Sequence, residues 1–81
     1  MQSGELIVIG KDKAVIPLHG FPCAVKAYFK HNMHLIPCNP NHSDSLEYEV
    51  MVAHQNKHKG FVLVIKWNVS GVRDIVWHVH Y

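Results

Sequence analysis

The sequence predicts an all-β fold in which two antiparallel sheets pack face to face as a small sandwich. Three observations carry that reading. Residues Leu46 to Tyr81 divide into three β-prone runs with regular apolar alternation. The first half holds further short runs, broken by glycine and proline. Pairing the three later runs leaves one apolar face that needs a second layer.

Glu5 to Ile9 (ELIVI) is the first β-prone run, ended by the turn-like GKDK with Gly10 and Asp12. Ala14 to Leu18 (AVIPL) is the second. Pro17 assigns it to an edge or a strand end, because proline has no amide to give a ladder. HGFP is a break. Cys23 to Lys30 (CAVKAYFK) alternates, with Cys23, Val25, Ala27 and Phe29 toward the core and Lys26 and Lys30 outward, as in a half-buried strand. His31 to Ser45 carries two prolines and three asparagines without a sustained period. A long connection is expected there, with room for a short strand at Met33 to Ile36.

Gly60 to Asn68 (GFVLVIKWN) is apolar on both faces at its start, so a central, covered strand is expected. A three-residue loop Val69-Ser70-Gly71, with Gly71 in the left-handed position of a G1-bulge turn, then leads into Val72 to Tyr81. That loop sets Lys66 opposite Asp74, Ile65 opposite Ile75 and Leu63 opposite Trp77. Setting Val52 opposite Leu63 in the preceding hairpin puts Glu49 beside Lys66. An acid–cation–acid row, Glu49–Lys66–Asp74, then crosses the outer face. Tyr48, Val50, Val52, Leu63, Ile65, Trp67, Ile75, Trp77 and Val79 fall on the inner face. The expected whole is one domain over residues 1–81, an immunoglobulin-like antiparallel β-sandwich of six or seven strands ending in a C-terminal three-strand meander.

Composition bounds the function. Eighty-one residues, 48% hydrophobic and 17% charged, make a globular chain with one small core. A formal charge of +2 without any run of Lys or Arg argues against nucleic acid. No apolar stretch approaches the roughly 20 residues of a membrane-spanning helix. The start, MQSGELIVIGKDK, lacks the basic region and long apolar run of a signal peptide. The expected location is therefore the cytoplasm or an assembled particle, with Cys23 and Cys38 as thiols; a disulfide between them is the alternative. Eight histidines make the net charge depend strongly on pH between roughly 5 and 7.

Few residues are candidates for chemistry. His78 and His80, two apart on one strand, project from the same outer face, as paired zinc ligands do. The meander register places Gly60 opposite His80, so His58 (or His54) is the expected third ligand. His31, His34, Cys38 and His42 form a second set with zinc-type donors. The plainer reading of both sets is solvated polar positions and an ordinary loop. Ser43, Ser45 and Ser70 lie in turns without a glycine-flanked nucleophile motif. Asp44 beside His42 reads as a turn cap. With no phosphate loop and no dinucleotide fingerprint, the expectation is a non-enzyme without a cofactor, zinc being the alternative. Met51, Val62, Val64 and Val76 form an outer strip more apolar than solvent requires, running into His78, His80 and Tyr81. This strip is the expected interaction surface.

The strand spacing looks like that of compact immunoglobulin-like sandwiches, a class that covers adhesion, assembly and virion-decoration modules. The inter-sheet Cys…Trp…Cys arrangement is missing, because Cys38 falls in the long connection. The resemblance implies a non-catalytic structural or protein-interaction module, a subunit or accessory domain of a larger assembly such as a virion. Its partner would be another protein or its own copies. A histidine-rich zinc domain is the alternative, and a carbohydrate-binding module resting on Tyr28 and Tyr81 a weaker one.

Overall fold

The computed structural model describes residues 1–30, 44–55 and 58–81. Nearly all of them are strand: β1 (Gln2–Pro17), β2 (Ala24–Phe29), β3 (Ser45–Gln55) and β4 (His58–His80). Among the described residues every pairing is antiparallel and every one involves β4. β1 follows one side of β4 from Val62 to Val79. The other side is shared, with β3 against residues 58–68 and β2 against residues 75–80.

β1 and β4 are long strands that do not stay straight. Gln2 Nε2, at the start of β1, donates a hydrogen bond to the Pro17 carbonyl oxygen at its end over 3.2 Å. A straight strand would hold those two residues about 50 Å apart. The reversal falls where Ile9 pairs with Val72 and Lys11 with Asn68, which leaves Gly10 facing Val69, Ser70 and Gly71. Gly10 (φ 68°) and Gly71 (φ 90°) take the left-handed conformation that a Cβ disfavours. Facing bulges of this kind bend both strands at one place.

The sheet is thereby divided into two arms. One is built from residues 11–17, 45–55 and 58–68, the other from 2–9, 24–29 and 72–80. Their apolar faces meet. Leu63 and Ile65 of the first arm and Ile75 and Val79 of the second are each 0% exposed, in one cluster with Val8, Ala27 and Val69. Burying a side chain of this size contributes about 1.5–3 kcal/mol. At the open end, the Tyr81 hydroxyl donates to Gln2 Oε1 and accepts the His19 amide over 2.8 Å. The two ends of β1 and the residue after β4 are thus tied together.

Trp77 faces Gly4 across the β1–β4 ladder, and its indole occupies the space a side chain would need. A Cβ on Gly4 would lie 2.7 Å from Trp77 Cζ2. Gly4→Ala is therefore expected to cost about 1–3 kcal/mol through overpacking, read as a lowered melting temperature. Gly60→Ala, whose Cβ meets nothing within 4 Å, is the comparison and is expected to change far less.

Several expectations are corrected. Val69-Ser70-Gly71 is no hairpin loop: β4 runs through it, and Asp74 pairs with Ile7 rather than Lys66. The C-terminal three-strand meander is accordingly one hairpin, β3–β4, whose second strand continues into the other arm. ELIVI and AVIPL are likewise one strand. These two mergers turn six expected strands into four. In the β3–β4 hairpin Val52 pairs with Phe61 and Val50 with Leu63, a slip of two residues that leaves every side chain on its expected face. Lys66 lies between Lys13 and Glu47, while Glu49 faces Val64, so the row Glu49–Lys66–Asp74 does not exist. Cys23 is exposed: β2 starts only at Ala24, so Cys23 precedes the ladder, while Val25, Ala27 and Phe29 keep the expected inward phase. The long connection falls almost wholly outside the described residues, and with it Met33 to Ile36, His31, His34, Cys38 and His42.

Candidate interaction surfaces

The bend decides where the outward residues lie. Met51, Val62 and Val64 project from the first arm, and Val76, His78 and His80 from the second. Because the arms turn their inner faces together, these outer faces point in opposite directions. The single strip expected from the sequence is therefore two separate patches. Val64 is only 7% exposed, packed among its neighbours on the outer face. Tyr81 belongs to neither patch, its hydroxyl being engaged with Gln2 and His19.

On the second arm the cross-strand rows are Ser3–His78–Lys26, Glu5–Val76–Tyr28 and Ile7–Asp74, followed by Ile9–Val72 at the bend. His78 Nε2 lies 3.1 Å from the Tyr28 hydroxyl with the two rings stacked, and Lys26 Nζ sits 5.3 Å from the Tyr28 ring centre. Lys30 reaches across to Glu5 at 3.2 Å. Beyond this polar patch the surface becomes apolar: Ile7 is 81% exposed, Ile9 69% and Val72 60%.

The backbone of β1 adds a second feature. Leu18 donates its amide to Phe61, and Lys30 donates its amide to Asp74. Antiparallel alternation then directs the even-numbered amides and carbonyls of β1 toward β4. Those of Ser3, Glu5, Ile7, Ile9, Lys11, Lys13 and Val15 face the open side. Among the described residues no strand lies along that side. Pro17 fits the pattern, since its missing amide falls on the open side.

His78 and His80 share the outer face of β4, as their spacing requires. The reason for adding His58 does not survive: Gly60 pairs with Ala53, and His58 sits opposite Gln55 at the far tip of the β3–β4 hairpin. Lys26 opposite His78 brings a cation beside one of the expected zinc ligands. Among the described residues, no three of His, Cys, Asp and Glu come together as a metal-holding group. Nor is any helix among them long and apolar enough to cross a membrane.

The sequence reading missed one constellation. Asp44 accepts hydrogen bonds from the Ser70 amide at 3.0 Å, the Ser70 hydroxyl at 3.4 Å and Arg73 Nε at 2.8 Å. It holds the bulge of β4 from the start of β3. Burial alone would raise its carboxyl, but the bonds from Ser70 and the bond and charge of Arg73 outweigh that and hold it below the usual 3.8. The sequence carried a signal. Arg73, the sole arginine, is in phase with Ile75, Trp77 and Val79 on the inward side and therefore needed an acid.

Bent and all-antiparallel, the fold defines a small β-domain in which, among the described residues, no strand covers the apolar outer edge of β1. Compared with protein-family models, curated proteins and solved structures, the chain matches none.

Proposed function

We propose that the chain is a non-catalytic structural or protein-interaction module, an accessory domain or subunit of a larger assembly such as a virion. The two arms packed face to face support an immunoglobulin-like style of sandwich, built from bent strands in place of separate ones. The observation that carries the functional reading is the β1 edge. It combines open backbone groups with Ile7, Ile9 and Val72, three apolar side chains at 60–81% exposure in one contiguous patch. Solvent-facing strand edges usually carry charge or proline, and apolar patches beside them are characteristic of contact surfaces.

A bait comparison tests this reading. Tagged wild-type chain and the folded variant Ile7→Lys/Val72→Lys are incubated with extract from the cells that produce the protein. The wild type is expected to retain a specific protein, its own copies included, that the variant loses. Identical retention by both would reject the β1 edge as the contact surface.

A further inference from the structure

We infer that the Lys11–Val15 stretch of β1 takes an acidic segment of a partner protein as one further antiparallel strand. This rests on the reading of the β1 edge as an interaction surface and names the partner's chemistry. The stretch lies on one arm, beyond the bend, with an unbroken register to β4 from Lys11 to Pro17. Both its ends are closed. At the bend Trp67 Nε1 donates to the Ile9 carbonyl over 3.4 Å. At the other end Pro17 has no amide, and its carbonyl accepts from Gln2. Between them the amides and carbonyls of Lys11, Lys13 and Val15 face the open side, the pattern a docking strand uses.

Charge decides the occupant. On the outer face Lys13 lies directly opposite Lys66, and Lys66 opposite Glu47. Like charges set opposite each other are destabilising. Among the described residues no ion pair relieves Lys11, Lys13 or Lys66. The row lysine–lysine–glutamate is thus one acid short on its open side. A carboxylate opposite Lys13 on an added strand would complete it as acid–lysine–lysine–acid. A second acid two residues further along would meet Lys11, and an apolar residue would cover Val15, which is 55% exposed. A shallow depression of about 360 Å³, lined by Lys11, Asp12, Lys13, Lys66 and Trp67, offers room against this stretch. Asp12 now occupies one docking position: its Oδ1 accepts the Lys13 amide over 2.8 Å, a contact the added strand would replace. Edge lysines repel another basic edge, so the same residues disfavour a copy of this stretch as the occupant.

The probe is a synthetic capped peptide, Thr-Val-Thr-Glu-Thr-Glu-Thr, titrated to millimolar concentration against the isotope-labelled chain at physiological ionic strength. The contact is short, so weak binding is expected, and nuclear magnetic resonance reads it. Amide signals of Lys11 to Val15 should shift while those of β2 stay in place. Lys13→Glu is expected to weaken binding about tenfold or more, yet to raise the melting temperature by relieving the repulsion with Lys66. Lys26→Glu, the same charge change on the other arm, should leave the affinity unchanged. Asp12→Ala should strengthen binding by freeing the Lys13 amide. A peptide with lysine in place of both glutamates should bind Lys11→Glu/Lys13→Glu and not the wild type. Circular dichroism confirms that each variant is folded. A wild-type spectrum unchanged by the peptide, or equal weakening by Lys13→Glu and Lys26→Glu, overturns the proposal. Inorganic polyphosphate shifting Lys11 and Lys13 where the peptide shifts neither would also overturn it, in favour of a general polyanion. If the peptide fails while the Ile7→Lys/Val72→Lys bait still loses a protein that the wild type retains, the acidic strand is rejected and the broader interaction reading stands.

Discussion

Leu63→Ala is expected to lower the free energy of unfolding by about 2–5 kcal/mol, measured by urea denaturation. Leu63 is 0% exposed, lies between Ile16 and Val50 in its cross-strand row, and is roofed by the second arm. A domain of this size has a total stability of about 4–12 kcal/mol, so the loss is a large share of the whole. Val52→Ala is the matched comparison. Val52 occupies the same face one rung closer to the hairpin tip, yet it is 47% exposed because the roof ends before it. A loss of only about 0.5 kcal/mol is expected there. Equal losses at the two positions would mean that the arms do not cover one another as described.

Asp44→Ala is expected to cost about 1.5–3 kcal/mol at neutral pH, because it removes hydrogen bonds to a charged acceptor and leaves Arg73 and the Ser70 amide unpartnered. The loss should depend on pH in a defined direction. The folded-state carboxyl is held below its usual 3.8, so it binds protons less readily when the chain is folded. Its contribution is complete above about pH 4 and disappears as pH falls through the lower, folded value. Wild type and Asp44→Ala should therefore converge in acid. A gap that stays constant down to pH 2 would sink the assignment of Asp44 as the ionised pin of the bulge.

The sequence conveyed facing better than connectivity. Side-chain period in a strand is two, so a pairing error of two residues preserves every inward and outward assignment. Trp67 and Trp77 were therefore placed correctly on the inner side even though the expected register was displaced. Connectivity failed at Gly10 and Gly71. A left-handed glycine serves a hairpin turn and a strand-bending bulge alike, and nothing local distinguishes the two. What decides is tertiary: the glycines face each other across the β1–β4 ladder, so both strands turn together and neither ends. Arg73 signalled the need for an acid, but which acid answers it was hidden for a related reason. The partners of Asp44 lie 26 and 29 residues away, brought close by that same bend.

Every ladder in this sheet needs β4, which follows β1, β2 and β3 in the chain. Among the described residues, the first three strands therefore emerge during synthesis with no native strand partner, and none of these ladders can close until β4 has been made. At ribosomal rates of about 5–20 residues per second, the interval is a few seconds. ELIVI spends those seconds uncovered. The nascent chain is thus expected to depend on holding factors, or on slow early aggregation, more than its small size would suggest.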